Sequence, residues 1–240
     1  MRLPSLIAAS LCLAAPAMAQ DAFRWVVQPG FQDAQSAYHG VVPLQQDGLW
    51  GLMAASGTWL AEPQFQAIGP AGNGWFPVKK GGKWGIVSET GETVAGFEYD
   101  AIGTPAPYTP MQFEGVWYAL GPTAEFDATP LPFDTLIGND GNCMVGTAQG
   151  VPVTANRGDA PLDQQYPQFD SMKPPAEGYV DFTIGGKAGH VDCAYGAING
   201  GAADFDQASG YSEGLAAVRV GTGWGYVANY DNAFEFGGDW

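Results

Sequence analysis

The sequence predicts an all-β chain: a repeat array of about six three-stranded units, curved or closed into a propeller-like ring, with an open β-solenoid as the alternative. Three observations carry this. An aromatic residue recurs at Phe31, Phe65, Tyr99, Phe133, Phe169 and Phe205, at intervals of 34, 34, 34, 36 and 36, and a fixed period of this length is the mark of a repeat architecture. Gly 35 and Pro 18 in 240 residues favour many turns over long helices. Apolar runs of four to six residues are bounded by glycine and lack a sustained 3.6-residue period, as short strands do.

The repeat has internal landmarks. Nine residues after each aromatic stands Gly40, Gly74, Tyr108, Asn142, Gly178 or Gly214. Ten residues beyond that anchor come Trp50-Gly51, Trp84-Gly85, Ala188-Gly189 and Trp224-Gly225, with Trp117-Tyr118 and Gln149-Gly150 filling the degenerate slots slightly out of register. Four of the aromatics precede an aspartate: Asp100, Asp134, Asp170 and Asp206. Each unit therefore divides into a strand from the anchor, a strand through the Trp-Gly pair and a strand ending at the aromatic. Turns such as Asp47-Gly48, Gly81-Gly82 and Gly185-Gly186 separate the first two.

The units lie near 40–73, 74–107, 108–141, 142–177, 178–213 and 214–240, forming one domain over 20–240. Ahead of them, within 21–39, Val27-Gln28-Pro29-Gly30-Phe31-Gln32 mirrors Ala61-Glu62-Pro63-Gln64-Phe65-Gln66 and reads as an orphan third strand. In a closed ring this strand would lie beside the last unit and remove an exposed edge. In an open array it would cap the first. A 34-residue unit is too short to fold alone, so each must bury its apolar face on its neighbours, and a tryptophan at a fixed slot supplies much of that area.

Gly82-Lys83-Trp84-Gly85-Ile86, with Thr90-Gly91 and Tyr99-Asp100-Ala101-Ile102 downstream, resembles the WG-repeat (KWG-repeat) family of bacterial exported proteins. Ser212 to Ala216 leading to Gly223-Trp224-Gly225-Tyr226-Val227 looks like the same unit, and Gly186-Lys187-Ala188-Gly189 is similar except for Ala188 in place of tryptophan. The resemblance implies an all-β repeat protein used as an interaction or binding module, with no shared catalytic residues.

Residues 1–19 read as a secretory signal peptide: Arg2, an apolar run from Leu6 to Ala15, and Ala17 and Ala19 as the cleavage pattern. Cleavage near Ala19 would leave a periplasmic or secreted chain and move the net charge from −16 to −17, since Arg2 is lost. No apolar run is long enough for a transmembrane span, and the acidic balance argues against nucleic acid as a partner. Cys143 and Cys193 remain after cleavage and can pair if the fold brings them together.

Candidate sites weaken on inspection. Gly210-Tyr211-Ser212-Glu213-Gly214 fits G-x-S-x-G, but that nucleophile needs a strand before it, a helix after it and a histidine downstream. His39 and His190 both precede Ser212. The two histidines and two cysteines show no zinc-ligand spacing. Asn139-Asp140-Gly141-Asn142 and Asp231-Asn232 are oxygen-rich turns without the full ligand run of a calcium loop. Trp50, Trp84 and Trp224 belong to the repeat core, whereas Trp25, Trp59, Trp75, Trp240 and Tyr118 are the candidates for an exposed aromatic platform.

No catalytic, metal or cofactor-binding residues are assigned and no cofactor is expected. The expected function is an exported, non-enzymatic binding or scaffold module for a peptide, protein or envelope polymer. The alternatives are a carbohydrate-active hydrolase on a ring-like β fold, which needs two carboxylates about 5–9.5 Å apart, and a purely structural envelope protein.

Overall fold

A computed structural model describes residues 26–158, 162–194, 196–197 and 203–229. The signal peptide, Trp25, Asp231, Asn232 and Trp240 lie outside these residues. The described chain is all-β, six small antiparallel sheets without a helix, each a meander of consecutive strands.

The first sheet holds β1 (Asp33–Ala34), β2 (Val41–Gln46), β3 (Leu49–Ala54) and β4 (Trp59–Phe65), and the second β5 (Ala67–Ile68), β6 (Trp75–Lys80), β7 (Lys83–Ser88) and β8 (Thr93–Tyr99). The third contains β9 (Ala101–Ile102), β10 (Thr109–Phe113), β11 (Val116–Leu120) and β12 (Phe126–Asp127). In the fourth are β13 (Thr135–Asp140), β14 (Cys143–Ala148), β15 (Val151–Asn156) and β16 (Leu162–Gln165). The fifth has β17 (Ser171–Met172), β18 (Tyr179–Ile184), β19 (Lys187–Asp192) and β20 (Gly196–Ala197). The sixth has three strands, β21 (Gln207–Ala208), β22 (Leu215–Val220) and β23 (Gly223–Ala228).

The periodic residues acquire physical roles. Anchor glycines Gly40, Gly74, Gly178 and Gly214 have φ between 75° and 79° and follow a residue that is itself left-handed, as two-residue hairpin turns require. The glycine after tryptophan allows a close crossing of the next strand. A Cβ on Gly51 would stand 2.7 Å from the Trp59 ring and 2.8 Å from the Ala61 carbonyl, and one on Gly85 would stand 2.9 Å from both the Ala95 carbonyl and the Phe97 ring. The ladder shifts register at both places, a bulge that only glycine accommodates.

The residue after each aromatic ties down the hairpin turn of its own sheet. Gln32, Gln66, Asp100, Asp134, Asp170 and Asp206 each accept a hydrogen bond from a turn amide, that of Gly48, Gly82, Gly115, Gln149, Gly185 and Gly221 in order. This explains the aspartates beside the aromatics, and each sheet begins at the next residue, two after its aromatic. The sequence reading of three strands per unit missed the two-residue strand that starts there in most sheets, because two residues carry no periodicity.

Successive sheets bury one another. Leu52 and Phe65 pack with Phe76 and Val78 between the first and second, Tyr99 with Met111 between the second and third, and Phe133 with Met144 between the third and fourth. Tyr166 and Phe169 stack with Phe182 between the fourth and fifth, beside the Cys143–Cys193 disulfide, whose Cα atoms are 5.7 Å apart.

Four local expectations change. Trp117 occupies the tryptophan slot in register, opposite Gln112 as Trp84 is opposite Lys79. Gln149-Gly150 is the hairpin turn of the fourth sheet, both residues at positive φ, so Pro152-Val153 takes the slot there. Among the described residues Val27–Gln32 is irregular rather than a strand, and its last residue is tied to the first sheet by the Gln32 N–H donating to the Gln45 carbonyl at 2.8 Å. Trp224 is 61% exposed, since no further sheet among the described residues covers it, while Trp50 is 8% exposed. Among the described residues no sheet closes into a barrel or ring.

Candidate functional site

One cross-strand position differs between sheets in a way that packing does not require. The pairs are Pro43 with Leu52, Pro77 with Ile86, Pro110 with Ala119 and Val145 with Thr154 in the first four sheets. In the fifth the pair is Asp181 with His190. A neighbouring position changes with it. The backbone N–H of Gly69 donates to Pro77 and that of Gly103 to Pro110, but in the fifth sheet the donor to Asp181 is Lys173. The small, apolar corner of the second and third sheets has become lysine, aspartate and histidine in the fifth.

The alternation of β18 and β19 fixes these side chains on one face, toward the sixth sheet. Asp181 and His190 are buried, at 4% and 6% exposure. The His190 Nε2 lies 3.4 Å from Asp181 Oδ1 and 3.1 Å from the Ser209 carbonyl oxygen. Both neighbours only accept, so Nε2 carries the proton. Lys173 Nζ donates to Asp181 Oδ2 at 2.9 Å and to the Ala208 carbonyl at 3.0 Å. Burial pushes the Asp181 carboxyl up, but the hydrogen bonds from His190 and Lys173 outweigh it and hold the group below its ordinary 3.8.

Tyr211 closes the inner side, its ring 4.9 Å from His190 and 4.6 Å from Tyr179. Burial, with Tyr179 and Asp181 nearby, raises its phenol to about 12, so it stays neutral. On the outer side a groove of about 320 Å³ opens between the fifth and sixth sheets, lined by Lys173, Asp181, Thr183, Asp206, Ser209 and Trp224 among others. It offers an ammonium group, hydroxyls, carboxylates and an indole edge to one small volume.

The other sequence candidates fall elsewhere. Ser212 bridges Leu215 across the Glu213-Gly214 hairpin turn, with β22 rather than a helix after it. His39 is exposed, stacked on Tyr38 and 3.1 Å from Glu89. Asn139 bonds the Thr104 backbone, and Asp140 accepts from Gly178 N–H at 3.3 Å. Among the described residues no group of three histidine, cysteine or acidic side chains is placed to hold a metal. Trp75 is buried, Trp59 packs on Phe31 and Tyr118 beside Phe126, so these three rings do not gather into one platform. The Lys173–Asp181–His190 group was missed because the repeat was aligned on aromatics and glycines. Aligning the strand positions between them exposes the substitution of Gly69 and Pro77 by Lys173 and Asp181.

Known structures similar to the chain include Hsv2 of Kluyveromyces lactis, at 8% identity and TM-score 0.47, covering 75% of this chain and 67% of that one. Another is a eukaryotic initiation factor at 12% identity and TM-score 0.48, covering 82% and 64%. PorZ, a surface component of the type-IX secretion system of Porphyromonas gingivalis, matches at 12% identity and TM-score 0.38, covering 85% of this chain and 34% of its own length. No curated protein sequence matches the chain. The family model described as "WG containing repeat" matches residues 21–50, 50–84 and 202–226, and WG repeats are therefore present at these three positions of the chain.

Proposed function

We propose that this chain is an exported, non-enzymatic binding module, a curved array of β sheets that recognises a peptide, protein or envelope polymer in the groove between its fifth and sixth sheets. The observation that carries the reading is the buried Asp181–His190 pair at a position that is apolar in the first three sheets. A buried ionic pair contributes little net stability compared with apolar packing, and a local departure from the packing rule marks a site kept for another purpose. Lys173, half exposed at the groove, presents a cation held in place by Asp181. The G-x-S-x-G sequence lies in a β-turn and offers no nucleophile elbow. The signal-peptide pattern supports export to the periplasm or beyond.

The test is binding of envelope glycan fragments and peptides to the purified mature chain and to Lys173→Ala. Saturable binding that weakens at least about tenfold in the variant, roughly 1.4 kcal/mol, supports the reading. Equal binding by both moves the site elsewhere. Catalytic turnover of a glycan by the wild-type chain overturns it in favour of a hydrolase.

A further inference from the structure

Among the described residues the sixth sheet has one strand fewer than the others. The five preceding sheets have four strands and the sixth has three, so β23 has no neighbour on its far side among the described residues. It carries Trp224 and Tyr226 at 61% and 75% exposure, where the first sheet buries Trp50 and Leu52 at 8% and 0%. Gly225 adds a sharper sign. Gly51 and Gly85 are glycine because a fourth strand crosses within 3 Å of where a Cβ would stand, yet nothing lies within 4 Å of that place at Gly225. Among the described residues the glycine is present and a strand that would explain it is not.

A segment with the required pattern stands at the other end of the described chain. Val27-Gln28-Pro29-Gly30-Phe31-Gln32 repeats Ala61-Glu62-Pro63-Gln64-Phe65-Gln66, the last part of a fourth strand and the residue after it. Its end is already seated as the end of such a strand should be. Gln32 accepts from Gly48 N–H as Gln66 accepts from Gly82 N–H. Phe31 packs on Trp59, the ring over Gly51, at 5.9 Å, as Phe65 packs on Phe97, the ring over Gly85, at 6.1 Å.

We propose that Val27–Phe31 is the missing fourth strand of the sixth sheet, pairing antiparallel with β23 and closing the array into a ring. The register follows from the first sheet, where Trp50 faces Phe65 and Leu52 faces Ala61. Phe31 then faces Trp224 and Val27 faces Tyr226. Pro29 takes the place of Pro63 at the bulge, where Gly225 leaves room for it, and the exposed strand edge disappears.

The experiment is a pair of cysteines, Val27→Cys with Tyr226→Cys, in the full chain. Directly opposed residues of antiparallel strands have the Cα separation a disulfide needs. Peptide mapping without reductant, at low protein concentration, should find an intramolecular 27–226 link. Gln28→Cys with Tyr226→Cys is the register control, because a shift of one residue turns the side chain to the opposite face, and it should link at least about tenfold less. Phe31→Ala in the otherwise native chain should speed amide exchange across Gly223–Ala228. A link between two molecules would assign the edge to a second copy and overturn the proposal. Equal linking in both pairs, absence of any 27–226 link, or exchange at Gly223–Ala228 indifferent to Phe31→Ala would overturn it also, the last assigning the edge to the segment beyond Ala228.

Discussion

The interface between the first and second sheets and that between the fifth and sixth are built on the same strand positions with opposite chemistry. The first buries Leu52, Phe65, Phe76 and Val78 with no charge among them. The second buries Tyr179, Tyr211 and Ala216 beside Asp181 and His190. Repetition lets the two serve as controls for one another, since strand order and turn type match while side chains differ. The apolar interface holds the array together through area removed from water. The ionic one gives up some of that area for directed hydrogen bonds and a groove. A repeat array tolerates such a site because each sheet interacts mainly with its neighbours, so a weak interface is supported by strong ones on one side.

The comparison breaks first at the apolar end. Phe76→Ala should cost about 3–5 kcal/mol, since Phe76 is fully buried between two sheets. Denaturant unfolding measures this, and a loss under about 1 kcal/mol would mean that the first interface is not tightly packed. Removing the Cys143–Cys193 bridge should cost about 4 kcal/mol, because it closes a separation of 50 residues in the unfolded chain. The bridge joins the fourth sheet to the end of the fifth, so its loss should speed amide exchange in β18 and β19 more than in β2 and β3.

At the ionic end the single and double changes should have opposite signs. Asp181→Ala leaves the His190 ring without its carboxylate partner and should cost about 2–3 kcal/mol, below the ~3–5 typical of a buried pair because Lys173 reaches solvent. Asp181→Val with His190→Leu together restores the apolar pattern of the first sheets and should be neutral or stabilising by about 1–3 kcal/mol. If the double variant is as unstable as the single one, the pair contributes to stability rather than to recognition. The pH dependence follows from the same carboxyl. Its folded pKa lies below 3.8, so its contribution is fully present well above that value and lost as pH falls through the depressed folded pKa. Asp181→Asn should flatten that acid limb, and an unchanged acid midpoint would contradict the pairing.

How much of this was legible in the sequence depends on the scale of the signal. The period, the Trp-Gly strand and the anchor turn could be read because each rests on a residue type that the backbone demands, such as Gly178 at φ 78°. The Gln149-Gly150 misplacement shows the limit: a hairpin glycine and a crossing glycine look alike in one dimension, and only the pairing of Val151 with Ala148 separates them. Asp181, Lys173 and His190 are 8 and 9 residues apart in sequence, and their meeting depends on the β17–β18–β19 register. Analogy with Trp50 places Trp224 in the core, but a slot is buried only when a next sheet covers it.

The smallest expected effect concerns what the two interfaces share. Asp170 and Gln66 do the same work at opposite ends of the array, each accepting one turn N–H, at 2.6 Å from Gly185 and 2.8 Å from Gly82. Both are exposed, so water can replace the side chain at the amide, and the net value of such a bond is about 0.5–1.5 kcal/mol. Asp170→Ala should therefore cost at most about 1 kcal/mol, and Gln66→Ala no more. The aspartate accepts with a full charge, so the Asp170 loss should shrink in high salt while the Gln66 loss does not. Chemical denaturation in urea at two salt concentrations separates them. Equal salt sensitivity would show that the charge at this position does not act through the turn amide, and that the aspartates of the later sheets replace the glutamines of the first two for a reason outside the hairpin.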